Sequence, residues 1–185
     1  DFRTPAGSEI ANFIGGATFF PTAAINRRIV PPETEPYLSR TFWAGIIDEE
    51  RAKPLEIDLA LNTTFNPASR QLDVSVDLKP LVDLTGTEHR LTVLITQDSI
   101  QDYQKVNLDK VADYYHRHVL RRVLSQPTGN IVVEALTSGA TITKNFTTQL
   151  PADWVEKHCS VVAFVHHGVV PNKEVLQAAE VHVVK

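Results

Sequence analysis

From residue 55 the chain alternates between apolar and polar positions. Leu55, Ile57, Leu59, Leu61 and Phe65 share one parity, and Glu56, Asp58, Asn62 and Thr64 share the other. A period of two is the mark of a strand with one face buried. Asn66-Pro67-Ala68-Ser69 is a turn signal, after which Leu72, Val74, Val76 and Leu78 alternate with Gln71, Asp73, Ser75 and Asp77. Two such runs joined by a short turn predict a β-hairpin. Thr85-Gly86-Thr87-Glu88 predicts a further turn, followed by a strand over residues 90–100 with Leu91, Val93 and Ile95 on one face. Ile142, Phe146 and Leu150, after Ser138-Gly139, mark another strand. Cys159–His167 is apolar on both faces, as a central strand is. Pro171-Asn172-Lys173 predicts a turn and residues 174–184 a last, valine-rich strand. The expected fold is mainly β, an antiparallel β-sandwich of the immunoglobulin-like or jelly-roll Greek-key kind over residues 55–185.

Residues 108–124 fit two periods. Helical spacing aligns Val111, Tyr115, Val119 and Val123; strand spacing sets Tyr115, Val119 and Val123 against His116, His118, Leu120 and Leu124. Tyrosine and valine favour strands, which predicts a strand from about Tyr114. Upstream, residues 31–54 form a connector rich in proline and acid, with a short helix expected over residues 38–47, Ser39 as its cap and Trp43 docked on an apolar surface. Residues 8–14 suit one or two helical turns capped by Ser8 and stopped by Gly15-Gly16, and Ala23-Ala24-Ile25-Asn26 suits a strand.

The 185 residues carry 18 basic and 22 acidic side chains, a net charge of −4. That balance argues against a nucleic-acid partner, which needs a basic excess or face. No apolar run reaches the roughly 20 residues of a membrane-spanning helix. A chain that opens at Asp1 and holds no methionine reads as a processed product or an engineered piece, with any signal or lipid anchor upstream. Cys159, the single cysteine, reads as a small buried hydrophobe on a strand, and a dithiol redox cycle is impossible within the chain. No G-x-S-x-G elbow, H-E-x-x-H pair or glycine-rich phosphate loop occurs, so no catalytic residue and no cofactor is assigned.

Phe20-Pro21-Thr22 before a short apolar run resembles the second half of a thioredoxin-like fold, which makes Pro21 a candidate cis-proline. FRTPAG (2–7), FPTAAINR (20–27), TTFNPASRQLDVSVDLKPL (63–81), YYHRHVLR (114–121) and VVAFVHHGVVPNKEVLQAAEVHV (161–183) together resemble one family. It is that of the Bacteroidetes outer-membrane lipoproteins related to the 28-kDa outer-membrane protein of Porphyromonas. The resemblance implies that residues 1–30 are the tail of a thioredoxin-like domain, that residues 31–54 connect, and that residues 55–185 are the sandwich. It further implies a surface-exposed outer-membrane lipoprotein of adhesin or receptor type. The membrane would then be reached only through an upstream lipid anchor, and the partner would be a protein or glycan of host surface or matrix. The alternative is the accessory domain of an envelope thiol–disulfide oxidoreductase whose Cys-x-x-Cys half lies upstream.

Two constellations are candidates for chemistry. His116 and His118, two apart on a strand, would point the same way and could share a metal, with His166 or His167 as a third ligand; the competing reading is a pair of surface or satisfied histidines, and no metal site is assigned. Tyr114, Tyr115, His116, Arg117, His118, Arg121 and Arg122 form a candidate binding patch, since tyrosine and arginine are enriched where proteins bind proteins. The competing reading is a solvated strand whose arginine stems cover apolar surface. Asn62-Thr63-Thr64 and Asn145-Phe146-Thr147 match the N-glycan acceptor pattern, and Asp98-Ser99-Ile100 resembles the Bacteroidetes O-glycan acceptor. The apolar residues of segment 1–30 cannot close a core alone, which predicts packing on the sandwich or on a second copy as a homodimer.

Overall fold

The computed structural model describes residues 2–84, 88–106, 109–169 and 172–184. The turn expected at Thr85-Gly86-Thr87, the first residue of segment 108–124 and Pro171 lie outside them.

The alternating blocks build two facing sheets. Strands β3 (Ile57–Asn66) and β4 (Gln71–Pro80) pair as the expected hairpin. Asn66 Oδ1 accepts from the Ala68 and Ser69 amides in the turn between them. Leu55 stands outside β3 and is exposed, so the strand starts two residues later than the alternation suggests. Strand β10 (Ile142–Gln149) joins the far side of β4 and completes a three-stranded sheet. The larger sheet runs β12 (Val175–His182), β11 (Cys159–His167), β5 (His89–Gln97), β8 (Val119–Val123), with the short β9 (Asn130–Ile131) also on β5. Every strand pair is antiparallel. Between the sheets, Leu72, Val74, Val76 and Leu78 face Leu91, Val93, Ile95, Cys159, Val161, Ala163 and Val165 in one apolar core. The fold is therefore mainly β and of the sandwich kind.

The strand expected over residues 90–100 divides at Ser99, whose φ of 57° turns the chain out of β5. Among the described residues, strand β6 (Ile100–Val106) then pairs only with β7 (Asp109–His116), as a two-stranded ribbon apart from both sheets. The described part of segment 108–124 thus holds strands, as expected, but two of them in two different sheets, β7 and β8 (Val119–Val123).

A third layer comes from the N-terminal residues. Helix α1 (Pro5–Phe13) is capped by Thr4, whose Oγ1 accepts from the Gly7 amide at 3.0 Å, and not by Ser8, which lies inside the helix. Pro5 at the first helical position displaces the start upstream, since its missing N–H belongs among the unpaired donors of a first turn. Gly15 and Gly16, at φ of 109° and 77°, end the helix, with the Gly16 amide returning to the Ala11 carbonyl. The extended run expected at residues 23–26 shortens to β1 (Ala23–Ala24), because Asn26 and Arg27 take left-handed φ values. Strand β1 pairs with β2 (Tyr37–Leu38). Helix α2 (Arg40–Arg51) lies later than the expected 38–47; Ser39 occupies its N-cap position, but the Ser39 hydroxyl meets Thr41 Oγ1 and makes no capping bond, and Trp43 Nε1 donates to the Leu38 carbonyl at 2.8 Å. The Phe20–Pro21 and Pro31–Pro32 bonds are cis.

This layer lies on the outer face of the larger sheet of its own chain. Phe13 meets the His166 ring edge-on at 6.0 Å, and the Val175 amide donates to the Asn26 carbonyl. The cover explains why Thr92 and His166, which point away from the sandwich core, are fully buried. Replacing Thr4 with alanine should cost about 1 kcal/mol through the lost cap, whereas Ser8→Ala should cost almost nothing. Urea denaturation of the two variants checks this; equal losses would refute the assignment of the cap.

Candidate functional site

The structure divides the expected binding patch in two. Tyr114, Tyr115 and His116 stand on the β6–β7 ribbon, joined there by Tyr103 of β6, which the sequence reading left out. Ile100, Tyr103 and Val106 stand three apart, so residues 100–106 carry no period-two alternation to announce this strand. Tyr103 is 67% exposed, Tyr115 56% and Tyr114 43%, and Val111 is exposed on the same ribbon. One face is ordered by ring contacts: His116 lies 4.9 Å from Tyr114 and 4.8 Å from Phe2, and its Nε2 is 3.2 Å from the Tyr103 carbonyl. The ribbon is thereby pinned at its base to the N-terminal segment.

The histidines do not act as a pair. His116 closes β7, while His118 falls in the turn to β8 with a φ of 50°. Its amide donates to Asp98 Oδ1 at 2.6 Å, and its ring Nδ1 is 3.7 Å from the same atom. The two-apart rule needs both residues on one strand, and the strand ends between them. His166 is remote from both, held by Thr92 Oγ1 at 3.0 Å and by the His167 carbonyl. Among the described residues no group of three or more metal-ligating side chains converges.

Arg121 and Arg122 leave the patch for a structural reason. Both guanidinium groups lie over the Trp154 ring, at 4.8 Å and 5.3 Å. Successive strand residues face opposite ways, but a bulge opposite Ile95 and Thr96 pairs Ile95 with Arg122 and Thr96 with Leu120, leaving Arg121 as the extra residue. Arg122 Nη1 also donates to Thr148 Oγ1 and to the Gln149 carbonyl, tying β8 to β10. Arg117 remains exposed.

Cys159 is fully buried and burial pushes its thiol up to about 11, as for a core residue. Asn62 and Asn145, the asparagines of the two N-glycan patterns, sit in one row across the three-stranded sheet, flanking Ser75. A cleft of about 660 Å³ opens where α2 and the Ile25-Asn26 turn meet β12, with Leu55, Leu176 and His167 in its wall.

The family model described as outer membrane protein Omp28 matches residues 10–184. The chain belongs to the Omp28 family. Omp28 proteins are outer-membrane proteins, and that is the location the family carries. The Omp28 fold here is similar to that of HBP35 of Porphyromonas gingivalis, with a TM-score of 0.77 at 18% identity over 97% of this chain and 57% of that one. The chain thus spans little more than half the length of that structure. A domain of the outer membrane lipoprotein Omp28 from Porphyromonas gingivalis matches with a TM-score of 0.49 at 19% identity, covering 71% of this chain and 90% of that one. No curated protein matches the chain. Among the described residues of this Omp28 member, no helix is long and apolar enough to cross a membrane.

Proposed function

We propose that this Omp28-family chain is a non-catalytic binding module, of adhesin or receptor type, that presents its aromatic ribbon at the cell surface to a host or matrix protein. The observation that carries this reading is the ribbon itself. A two-stranded hairpin alone is marginally stable in water, and exposed aromatic patches mark interaction surfaces. Tyr103, Tyr114 and Tyr115 supply large, stiff, amphipathic area of the kind found at binding hot spots. Residues 1–30 are proposed as the tail of a thioredoxin-like domain that anchors the ribbon through Phe2, and residues 55–185 as the displaying sandwich. The alternative, an accessory domain of an envelope thiol–disulfide oxidoreductase, needs a dithiol outside this chain, because Cys159 is its single cysteine and is buried.

The test is binding of the purified chain to immobilised matrix proteins and to host cells, beside a variant with Tyr103, Tyr114 and Tyr115 all changed to serine. Loss of three exposed rings leaves the sandwich core untouched and should weaken binding by at least about tenfold. No binding at micromolar concentration, or equal binding by the variant, would overturn the proposal.

A further inference from the structure

Arg27 is a buried cation that makes no ion pair among the described residues. The residue is 7% exposed, and its buried Nη1 has no hydrogen-bond partner among the described residues. Its guanidinium lies between the rings of Phe164, at 4.9 Å, and Phe13, at 5.7 Å. Burial lowers its pKa to about 10, which still leaves it charged at neutral pH. Its neighbour Arg28 shows the contrast, since Arg28 turns outward to Glu49 at 2.7 Å and Glu50 at 3.0 Å.

The backbone is held so that Arg27 turns inward. Asn26 and Arg27 both have left-handed φ, 47° and 56°, a conformation that residues other than glycine seldom adopt. Three hydrogen bonds tie the turn down: Val175 N–H to Asn26 O, Asn26 Nδ2 to Glu50 Oε2 and Arg28 N–H to Ile25 O. A fold that spends this much order to aim a charge away from water leaves that charge to be explained by what it meets.

Besides the two rings, Arg27 lines a cavity of about 100 Å³ where the three parts of the chain join. Ile14 comes from the end of α1, Ile29, Thr34, Glu35 and Pro36 from the stretch before β2, and Lys173 from the turn before β12. Lys173 brings a second positive charge: its ammonium sits 4.7 Å over the Phe13 ring and donates to the Phe13 carbonyl. The one carboxylate in the wall, Glu35, lies against Gly15, where its Oε2 fills the space a Cβ would take.

We propose that this cavity binds a small oxyanion of the size of phosphate or acetate, with the Arg27 guanidinium and the Lys173 ammonium supplying its two positive charges. A guanidinium fork matches carboxylate and phosphate oxygens, and charge-assisted hydrogen bonds of this kind are the strong ones. The site takes one cation from the N-terminal layer and one from the sandwich. The bound anion therefore clamps the two together. Glu35 opposes it by like charge.

The test is isothermal titration and thermal unfolding of the 185-residue chain with sodium phosphate and, separately, sodium acetate, with ionic strength held constant by chloride. Saturable binding with a rise in Tm is expected for at least one anion, and the pair of titrations separates phosphate from carboxylate recognition. Arg27→Gln should weaken binding at least about tenfold. Lys173→Gln should weaken it less, and Glu35→Gln should tighten it. If Arg27→Gln fails to fold, the opposite responses of the other two variants decide. No saturable binding above the chloride control, or unchanged affinity in Lys173→Gln and Glu35→Gln, overturns the proposal. So does a Glu35→Gln variant that loses both stability and binding, because Glu35 would then be the partner of Arg27.

Discussion

Replacing Trp154 with alanine should lower the stability of the chain by about 3–5 kcal/mol, the range for deleting a large aromatic side chain from a packed interior. Trp154 is 7% exposed and belongs to the core between the sheets. Its indole carries the guanidinium groups of Arg121 and Arg122, and its carbonyl accepts from Arg70 Nη2 at 2.8 Å. Arg70 also reaches the Leu150 and Pro151 carbonyls and Glu156, so it ties down the backbone of the segment from β10 to β11. Removing the indole opens a cavity and strips two cations of the surface they lie on. For a chain of this size the melting temperature should fall on the order of 10 °C. Urea denaturation with an unchanged m-value is the measurement, and a loss below about 1 kcal/mol would show that the ring is not part of the core.

Acid should destabilise the fold through His166 before it acts on the carboxylates. Burial, and then the neighbouring Arg27, lower the His166 pKa from 6.5 to about 4. The Arg90 guanidinium and His167 press in the same direction, against the His167 carbonyl, which favours the protonated ring. The folded state keeps this ring neutral while the unfolded chain protonates it, so below pH 6.5 the unfolded state binds more protons. Stability is therefore full above about pH 6.5 and declines as the pH falls towards about 4, by about 3 kcal/mol in all. Asp73, held below its ordinary value by Thr147, and Glu134, held down by Lys144, release their contributions at lower pH, below the ordinary carboxylate range. Unfolding free energies across pH 4–7 for the native chain and His166→Asn check the assignment. The variant should lose most of the slope in that window; an unchanged slope would place the titration elsewhere.

The strands that line the core were legible because their cause is local. Alternation at Leu72, Val74, Val76 and Leu78 means one apolar face, and one apolar face means a partner layer. Cys159–His167 is apolar on both faces because it is a central strand with the opposite sheet on one side and the N-terminal layer on the other. The candidate site was less legible. Tyr114 and Tyr115 are exposed as a binding patch requires, but Arg121 and Arg122 are drawn to Trp154 by a bulge that no residue pattern announces. His116 and His118 failed as a pair because spacing along a strand carries meaning only while the strand continues, and it stops at His116. Arg27 and Arg28 are indistinguishable along the chain, and only the fold sends Arg28 to Glu49 and Glu50 and Arg27 to two phenylalanine rings.

Periodicity by itself determined that this chain folds into antiparallel strands around an apolar interior, because side-chain alternation and burial are properties of neighbouring residues. Tertiary structure decided which strands share a sheet, that residues 109–123 serve a ribbon and a sheet at once, and that the described N-terminal residues lie on the sandwich as a third layer. Those outcomes depend on hydrogen bonds and ring contacts between residues far apart in the chain, such as Phe13 with His166 and Arg122 with Thr148, and a local pattern holds no record of its distant partner.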